Sequence, residues 1–289
     1  TNNGVVDATT TFDLLIGAIR AAGGPTYAFR TINPVDGQDG GQPGGNIRVG
    51  FLFNPARVAF VDRPGGTSVS STAVLNGPNG PQLSASPGRI DPLNPAFTAS
   101  RKPLAGEFQF NGHAIFIIAN HFNSKGGDQP LFGRFQPPVR SSEIQRQAQA
   151  LVVHDFVQSL LTLDSQARVV VVGDLNDFPF STTVATLEAG GILHNLVGTL
   201  PADEQYTYIF EGNSQVLDHI LVSPGLMNHA LPEYDIVHIN SEFVTQISDH
   251  EPAVARVHLP PVQDVTAEVP AVSSGLTFNR RTQTFTGTI

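Results

Sequence analysis

The spacing of apolar positions changes several times along the chain, and each change marks a predicted element. Val169 to Val172 is an unbroken run of β-branched residues, which predicts a short strand buried on both faces at the centre of an α/β layer. The run ends in Gly173, presents Asp174, Asn176 and Asp177, and reaches Pro179, which has no amide hydrogen to extend a ladder. Arg101 to Phe110 and His113 to Ala119 flank Asn111-Gly112, the signature of a tight hairpin. Asn46 to Phe53 predicts another strand, with Arg57 to Val61 pairing to it through Asn54-Pro55. Further strands are expected at Tyr206 to Phe210, Gln215 to Val222, Asp235 to Ile239 and Ala253 to His258.

Helical spacing is clearest over Ser141 to Leu163. Ser141 or Ser142 would cap it, and Ile144, Ala148, Leu151, Val152, Phe156 and Leu160 would form its apolar face. Thr1 to Gly24 reads as a loop and a helix, capped by Asp7 or one of Thr9 to Thr11. Phe12, Leu15, Ile16 and Ile19 form its stripe, and Gly23-Gly24 stop it. Ser181 to Ala189 predicts a shorter helix. Pro34 to Gly45 and Gly126 to Val139 read as exposed or irregular segments. Asp62 to Ser100, rich in Gly, Pro, Ser and Asn, is either a functional loop or a partly mobile one. Hairpins mixed with crossovers imply an α/β sandwich with largely antiparallel or mixed sheets, not a strict βαβ repeat.

Composition narrows the function. The 289 residues carry a net charge of −9, so no global basic field recruits nucleic acid, and a polyanion must be held by local cations. Cysteine is absent, which excludes disulfides, thiolate metal sites and a cysteine nucleophile; this suits an exported, bacterial-type protein. No run of residues approaches a membrane span.

Four clusters then stand out, most of them beside a predicted strand: His121 and Asn123, Asp174 and Asn176, Asp218, and Asp249 and His250. Hard oxygen donors with His and no thiolate favour Mg²⁺, Mn²⁺ or Ca²⁺ over structural zinc. Acids and two histidines converging on a hard metal suit attack of water on a phosphate ester. No GxSxG or HExxH motif supports a serine or zinc hydrolase.

The segments NHFNSK, VVVVGDLNDFP, LDHILVS and SDHEP, in that order, resemble the endonuclease/exonuclease/phosphatase superfamily of DNase I-like enzymes, closest to its secreted bacterial nuclease-like members. The resemblance runs from about Asn46 to Val257 and implies a four-layer α/β/β/α sandwich with a metal-dependent phosphoesterase site at one edge. By that resemblance Asp174 would orient or deprotonate the attacking water, and Asn176 would hold the water or phosphate. Asp249 would be a metal ligand, Mg²⁺ foremost. His250, oriented by Asp218, would contact the scissile phosphate, with His121 and Asn123 on the other side and Arg101 binding phosphate. Lys125 is a weaker electrostatic candidate. The implied activity is an extracellular nuclease acting on DNA or RNA. The alternatives are a phosphatase or phospholipid phosphodiesterase, and an inactive copy serving as a scaffold.

One departure bears on this. Such proteins open with a strand bearing Asn and a second ending in a metal-binding Glu, and nothing before Asn46 supplies them; Glu107 lies in the wrong order. The expectation is therefore a domain over 1–258 that lacks its first strands, with a raw sheet edge. A linker over 259–273 and the start of a further β domain over 274–289 would follow. That the sequence is a piece of a longer chain is favoured over completion by another segment or loss of metal affinity.

Overall fold

The structure, a computed structural model, describes residues 4–40, 46–130, 132–230 and 232–262, with the backbone of two strands at 277–279 and 284–286. It divides into two units, Thr1–Leu259 and Pro260–Ile289. In chain order the first unit contains α1 (Thr9–Ala21), β1 (Ala28–Arg30), β2 (Phe51–Phe53), β3 (Ala59–Phe60), β4 (Val74–Gly77), β5 (Gly80–Leu83) and β6 (Gly88–Arg89). Then follow β7 (Leu104–Phe110), β8 (His113–His121), α2 (Ser141–Leu163), β9 (Arg168–Asp174), α3 (Thr182–Glu188) and β10 (His194–Asn195). It closes with β11 (Tyr208–Phe210), β12 (Asn213–Gln215), β13 (Asp218–Val222), α4 (Pro224–Met227), β14 (Glu233–Ile236) and β15 (Ala253–Arg256). In the second unit β16 (Thr277–Asn279) pairs antiparallel with β17 (Thr284–Thr286), a hairpin within the predicted terminal β segment. Residues 263–273 of the expected linker lie outside the described residues.

A mixed seven-stranded sheet organises the first unit, in the order β10-β13-β9-β8-β7-β3 with β6 also on β7. Only β8 and β9 run parallel; α2 is the crossover between them. The Asn111-Gly112 turn forms as expected, both residues left-handed (φ 51° and 83°), the conformation a two-residue hairpin needs. On one face α2 and α3 bury Phe116 and Ile118 of β8 and Val169 and Val171 of β9, with Val153, Val157, Leu160, Val184 and Leu187 from the helices. Each such side chain contributes roughly 1.5–3 kcal/mol. Against the other face lie two separate hairpins. β1–β2 packs Phe51 and Phe53 on Phe108 near one end, and β14–β15 packs Tyr234 and Ile236 with Ile220 and Val222 near the other. Phe12 of α1 stacks on Phe29 of β1 at 4.5 Å. The layers are thus helix, sheet, two separate strand pairs and helix, the predicted α/β/β/α order.

Several expectations are corrected. The valine run is buried on one face only: Val170 and Val172 are half-buried, as are Ile115 and Ile117 beside them, because no described strand lies between the two hairpins. There the sheet floors an apolar groove of about 380 Å³ lined by Phe51, Phe53, Phe110, Ile115 and Ile117. The predicted hairpin of Asn46–Phe53 with Arg57–Val61 does not form. β2 pairs with β1, and after a turn at Asn54 the chain crosses to the other sheet, where β3 pairs with β7. Residues 62–100 are largely irregular, as expected, but they are not a bare loop. They hold β4, β5 and β6 and bury Leu83, Ile90 and Phe97. Within the expected exposed loop, Asp39 is buried against Arg89 (2.6 Å) and Lys102 (3.2 Å); residues 41–45 of that loop lie outside the described residues.

Helix α2 has the expected bounds, and of its predicted apolar face Leu160 is buried and Val152 and Phe156 pack on the core, but its first half turns a different face inward. Ile144 and Leu151 are exposed, whereas Ser142, Glu143, Arg146, Gln149, Ala150, Val153, Val157 and Leu160 are buried. Its first turn is held by Asp128, whose carboxylate accepts from the Ser142 amide and hydroxyl, and neither serine acts as the cap. The reason lies at Asp177, fully buried just beyond β9. It accepts from Arg146 Nε (3.0 Å), Thr183 Oγ1 (2.7 Å) and Lys125 Nζ (3.0 Å). An ion pair in such a place must be complete, because one member alone is a bare buried charge. Arg146→Ala is therefore expected to lower the unfolding free energy by roughly 3–5 kcal/mol, read by urea denaturation. A loss below about 1 kcal/mol would show that Asp177 does not depend on it.

Candidate active site

Strand pairing brings the predicted residues together. In the parallel β8–β9 ladder His121 lies opposite Asp174, and in the antiparallel β9–β13 ladder Asp174 lies opposite Asp218. Three side chains from distant parts of the sequence therefore stand abreast at one end of the sheet. Gly173 makes the approach possible: at φ 131° its missing Cβ would fall 2.0 Å from the Asn120 carbonyl oxygen, a contact no side chain tolerates.

Beyond β9 the chain turns back on Asp174. Asn176, left-handed at φ 51°, donates its amide to Asp174 Oδ1 (2.8 Å) and its side-chain nitrogen to Asp174 Oδ2 (2.9 Å) and the Phe122 carbonyl (3.2 Å). Asn tolerates this conformation better than most residues. Its amide oxygen faces away from these bonds.

The fourth element arrives through a buried carboxylate. Glu251 accepts from the backbone amides of Ile239, Asn240 and Ser241 and from the Ser241 hydroxyl. It thereby ties the segment after β14 to the start of β15. His250, one residue earlier, contacts Asp218 Oδ2 through Nδ1 at 2.6 Å, leaving Nε2 free to face a ligand. Tyr208 packs its ring 4.8 Å from the imidazole and bridges to His250 through the backbone. Burial and the charges of Asp249 and Asp174 raise the Tyr208 pKa, so its phenol stays protonated.

The three central groups are tuned in different directions. Burial and the nearby Asp218 charge raise Asp174 to about 6, against His250, the Asn176 amide and Arg101. Burial lowers His250, but its hydrogen bond to Asp218 and the charges of Asp218, Asp174 and Asp249 outweigh that and carry it to about 9. Burial, with Arg101 and His250 close by, lowers His121 to about 4. At neutral pH the site holds an ionised Asp174, a cationic His250 and a neutral His121. The 3.3 Å approach of His121 to Asp174 is accordingly a contact of a neutral ring with a carboxylate, not an ion pair.

The remaining predicted residues separate. Arg101 is buried beside this group, donates to the Phe122 carbonyl and leaves its Nε without a partner, as a residue held for an anion would. Asn123 has its backbone amide bound by Gln149 (2.8 Å), and its side chain makes no hydrogen bond. Lys125 is corrected: it is committed to Asp177 and sits 4.0 Å above the Phe178 ring. Glu107 is spent on Arg63 and the Leu83 amide, in keeping with its exclusion from the site. Asp249 is exposed and near enough to act electrostatically on His250 and Tyr208. Among the described residues no three His, Asp or Glu side chains gather to hold a metal ion. Asp249 offers one hard ligand, but the described residues do not fit a complete divalent-metal site.

Sequence reasoning missed the aromatic surroundings. Phe178, Tyr208 and Phe210, with Asn176 and His250, line a pocket of about 470 Å³. The alternation of Tyr206, Tyr208 and Phe210 was the available signal, and it reads equally well as an ordinary strand.

A phosphoesterase-like edge site on a mixed α/β sandwich is thus the class the geometry defines. The family model described as Endonuclease/Exonuclease/phosphatase family matches residues 81–250, more than half of the chain, and the chain belongs to that family, whose members hydrolyse phosphate esters. No curated protein matches it in sequence. Among solved structures, the human Nocturnin catalytic domain, determined with a bound sulfate anion, is 15% identical with a TM-score of 0.54, covering 88% of this chain and 79% of that one. A humanized D. rerio TDP2 is 16% identical with a TM-score of 0.52, covering 86% and 82%. These likenesses bear out the fold.

Titration of the metal-free protein followed by histidine ring NMR should show His250 changing near pH 9 and His121 near pH 4. Since the folded pKa of His250 exceeds its unfolded value of about 6.5, the stabilisation it contributes is complete below that value and is lost as pH rises through about 9. Asp218→Asn should return the His250 titration toward the ordinary range. An unchanged value would show that Asp218 is not what raises it.

Proposed function

We propose that this chain is a phosphodiester hydrolase, with nucleic acid as the substrate the reading favours. The observation that carries it is the pairing of a charged His250–Asp218 couple, 2.6 Å apart, with an ionised Asp174 locked by both nitrogens of Asn176. A general base works best with a pKa just below the working pH, and an Asp174 raised to about 6 meets that condition. In this reading Asp174 takes a proton from the attacking water while the Asn176 amide oxygen positions it. The phosphorane gains charge on its equatorial oxygens, and the His250 imidazolium, donating from Nε2, stabilises that charge as it develops. Collapse breaks the bond to the ester oxygen opposite the attacking water, which leaves as an alcohol with a proton from solvent. Asp218 holds the ring in place and keeps it protonated. Arg101 and the neutral His121 face the phosphate from the other side. Arg101 and the His250 imidazolium are the local cations that would meet the phosphate despite the net charge of −9. Dependence on a divalent metal, Mg²⁺ before Mn²⁺ or Ca²⁺, belongs to the proposal and is supported by the family and by the uncommitted Asp249 carboxylate; so does an extracellular setting, which the absence of cysteine suits.

A phospholipid phosphodiesterase is the second reading, favoured by one observation: Phe243, Val244 and Ile247, on the segment leading to Asp249 and His250, are all exposed, and exposed apolar groups at a site rim suit a membrane surface.

The test is hydrolysis of plasmid DNA, single-stranded RNA, phosphatidylcholine vesicles and a phosphomonoester, with Mg²⁺ or Mn²⁺ and with chelator. Cleavage of nucleic acid that is lost with chelator is expected; turnover of vesicles or monoester alone would replace the nuclease reading. Asp174→Asn should lower kcat by about 10²–10⁴ with the circular dichroism unchanged, and wild-type turnover would remove its role as base. His250→Ala and Asp218→Ala should each be severe and the double variant little worse; additive losses would show that they do not act as a pair.

A further inference from the structure

The pocket beside His250 has a construction that hydrolysis alone does not require. One wall is the β11–β12 hairpin, turned at Glu211 and Gly212, both left-handed. Tyr208 and Phe210 alternate on one face of β11, and Gln215 lies opposite Tyr208 in the antiparallel register, so all three share that face. The Tyr208 and Phe210 rings are nearly parallel, 11° apart with centroids at 6.2 Å. Phe178 and Leu217 line the pocket from the chain around the sheet end, and the segment from Ser124 to Pro130 closes the far side. Phe178 is itself stacked on the exposed Phe180 at 5.2 Å. The Gln215 side-chain amide makes no hydrogen bond with the described residues, and Phe210 is half exposed although it lines the same pocket as His250.

Aromatic faces beside a free amide match one kind of ligand. A nucleobase has two π faces to stack and a polar edge to be read, and stacking tolerates any base. An acyl chain would leave the Gln215 amide without a partner, whereas a base uses the ring faces and the amide together. We infer that this pocket is a nucleobase site, in which Phe210 and Tyr208 supply stacking faces and Gln215 an edge contact. Because His250 and Asn176 line the same pocket, the base it holds belongs to a nucleotide whose phosphate lies at those residues. The inference rests on the phosphodiesterase reading for that phosphate, but not for the stacking itself.

Binding without turnover separates the two. Uridine 5′-monophosphate and ribose 5-phosphate differ only in the base. Calorimetry on the metal-free protein is expected to show the nucleotide bound at least about tenfold more tightly. Phe210→Ala should bring the ratio of the two affinities close to one, and Phe210→Trp should preserve it. Equal affinities in the wild type, or a ratio indifferent to Phe210→Ala, would overturn the base site. A second arm follows hydrolysis of the methyl esters of the same two compounds with Mg²⁺. Hydrolysis of both with equal kcat/KM would overturn the base site and leave the phosphodiesterase reading intact. Hydrolysis of neither, with the binding ratio kept, would support the base site and overturn the activity.

Discussion

The buried carboxylate of Asp177 is the constraint on which the working end of the molecule depends. Charge at full burial is costly unless several donors share it, and here Arg146, Lys125 and Thr183 come from α2, the segment after β8 and α3. Its backbone carbonyl also accepts from His219 Nε2 of β13 at 2.8 Å, while Asn195 donates to the other ring nitrogen. His219 is therefore neutral, and burial holds its pKa low. Four segments are tied to one residue three positions after Asp174, which is why the turn carrying Asp174 and Asn176 points in one direction. Two aspartates of a single short motif thus have different surroundings: Asp177 builds the turn, and Asp174 stands at the sheet end beside His121 and Asp218.

The sheet end then acts as an electrostatic sorter. Three titratable groups lie close together, and each is moved by what surrounds it. Asp174 has little solvent and a carboxylate for a neighbour, so its proton is held longer than usual. His250 has that same carboxylate as a hydrogen-bond partner and keeps its proton well above neutrality. His121 is buried next to cations and loses its proton early. A base, a cation and a neutral ring are obtained side by side from ordinary residue types because pairing and burial push in opposite senses. The uneven covering of the sheet adds a second asymmetry. The helix-covered face is closed, while the opposite face carries two separate strand pairs and an apolar groove beside β1–β2, and the β14–β15 pair is the one that delivers His250.

The amino-acid sequence by itself determined the elements whose signals are local. The Asn111-Gly112 turn, the bounds of α2, the valine strand ending in acidic residues and the order of the four clusters were legible because turn chemistry and periodicity act over a few residues. The clusters were legible as one site only through their resemblance in order and spacing to a family. What tertiary structure alone decided is of a different kind. Apolar spacing in α2 pointed to Ile144 and Leu151, yet the helix rotates to bring Arg146 and Gln149 inward, since an unmet charge at Asp177 outweighs two exposed aliphatic side chains. The valine run looked buried twice over, but burial depends on what lies above a strand, and nothing in its own residues reports that. The alternation of Tyr208 and Phe210 could not disclose that the Tyr208 ring stands beside His250, because the contact joins residues 42 positions apart. Non-local pairing decides which side chains meet, and so the tuning of Asp174 and His250 belongs to the fold and not to either segment.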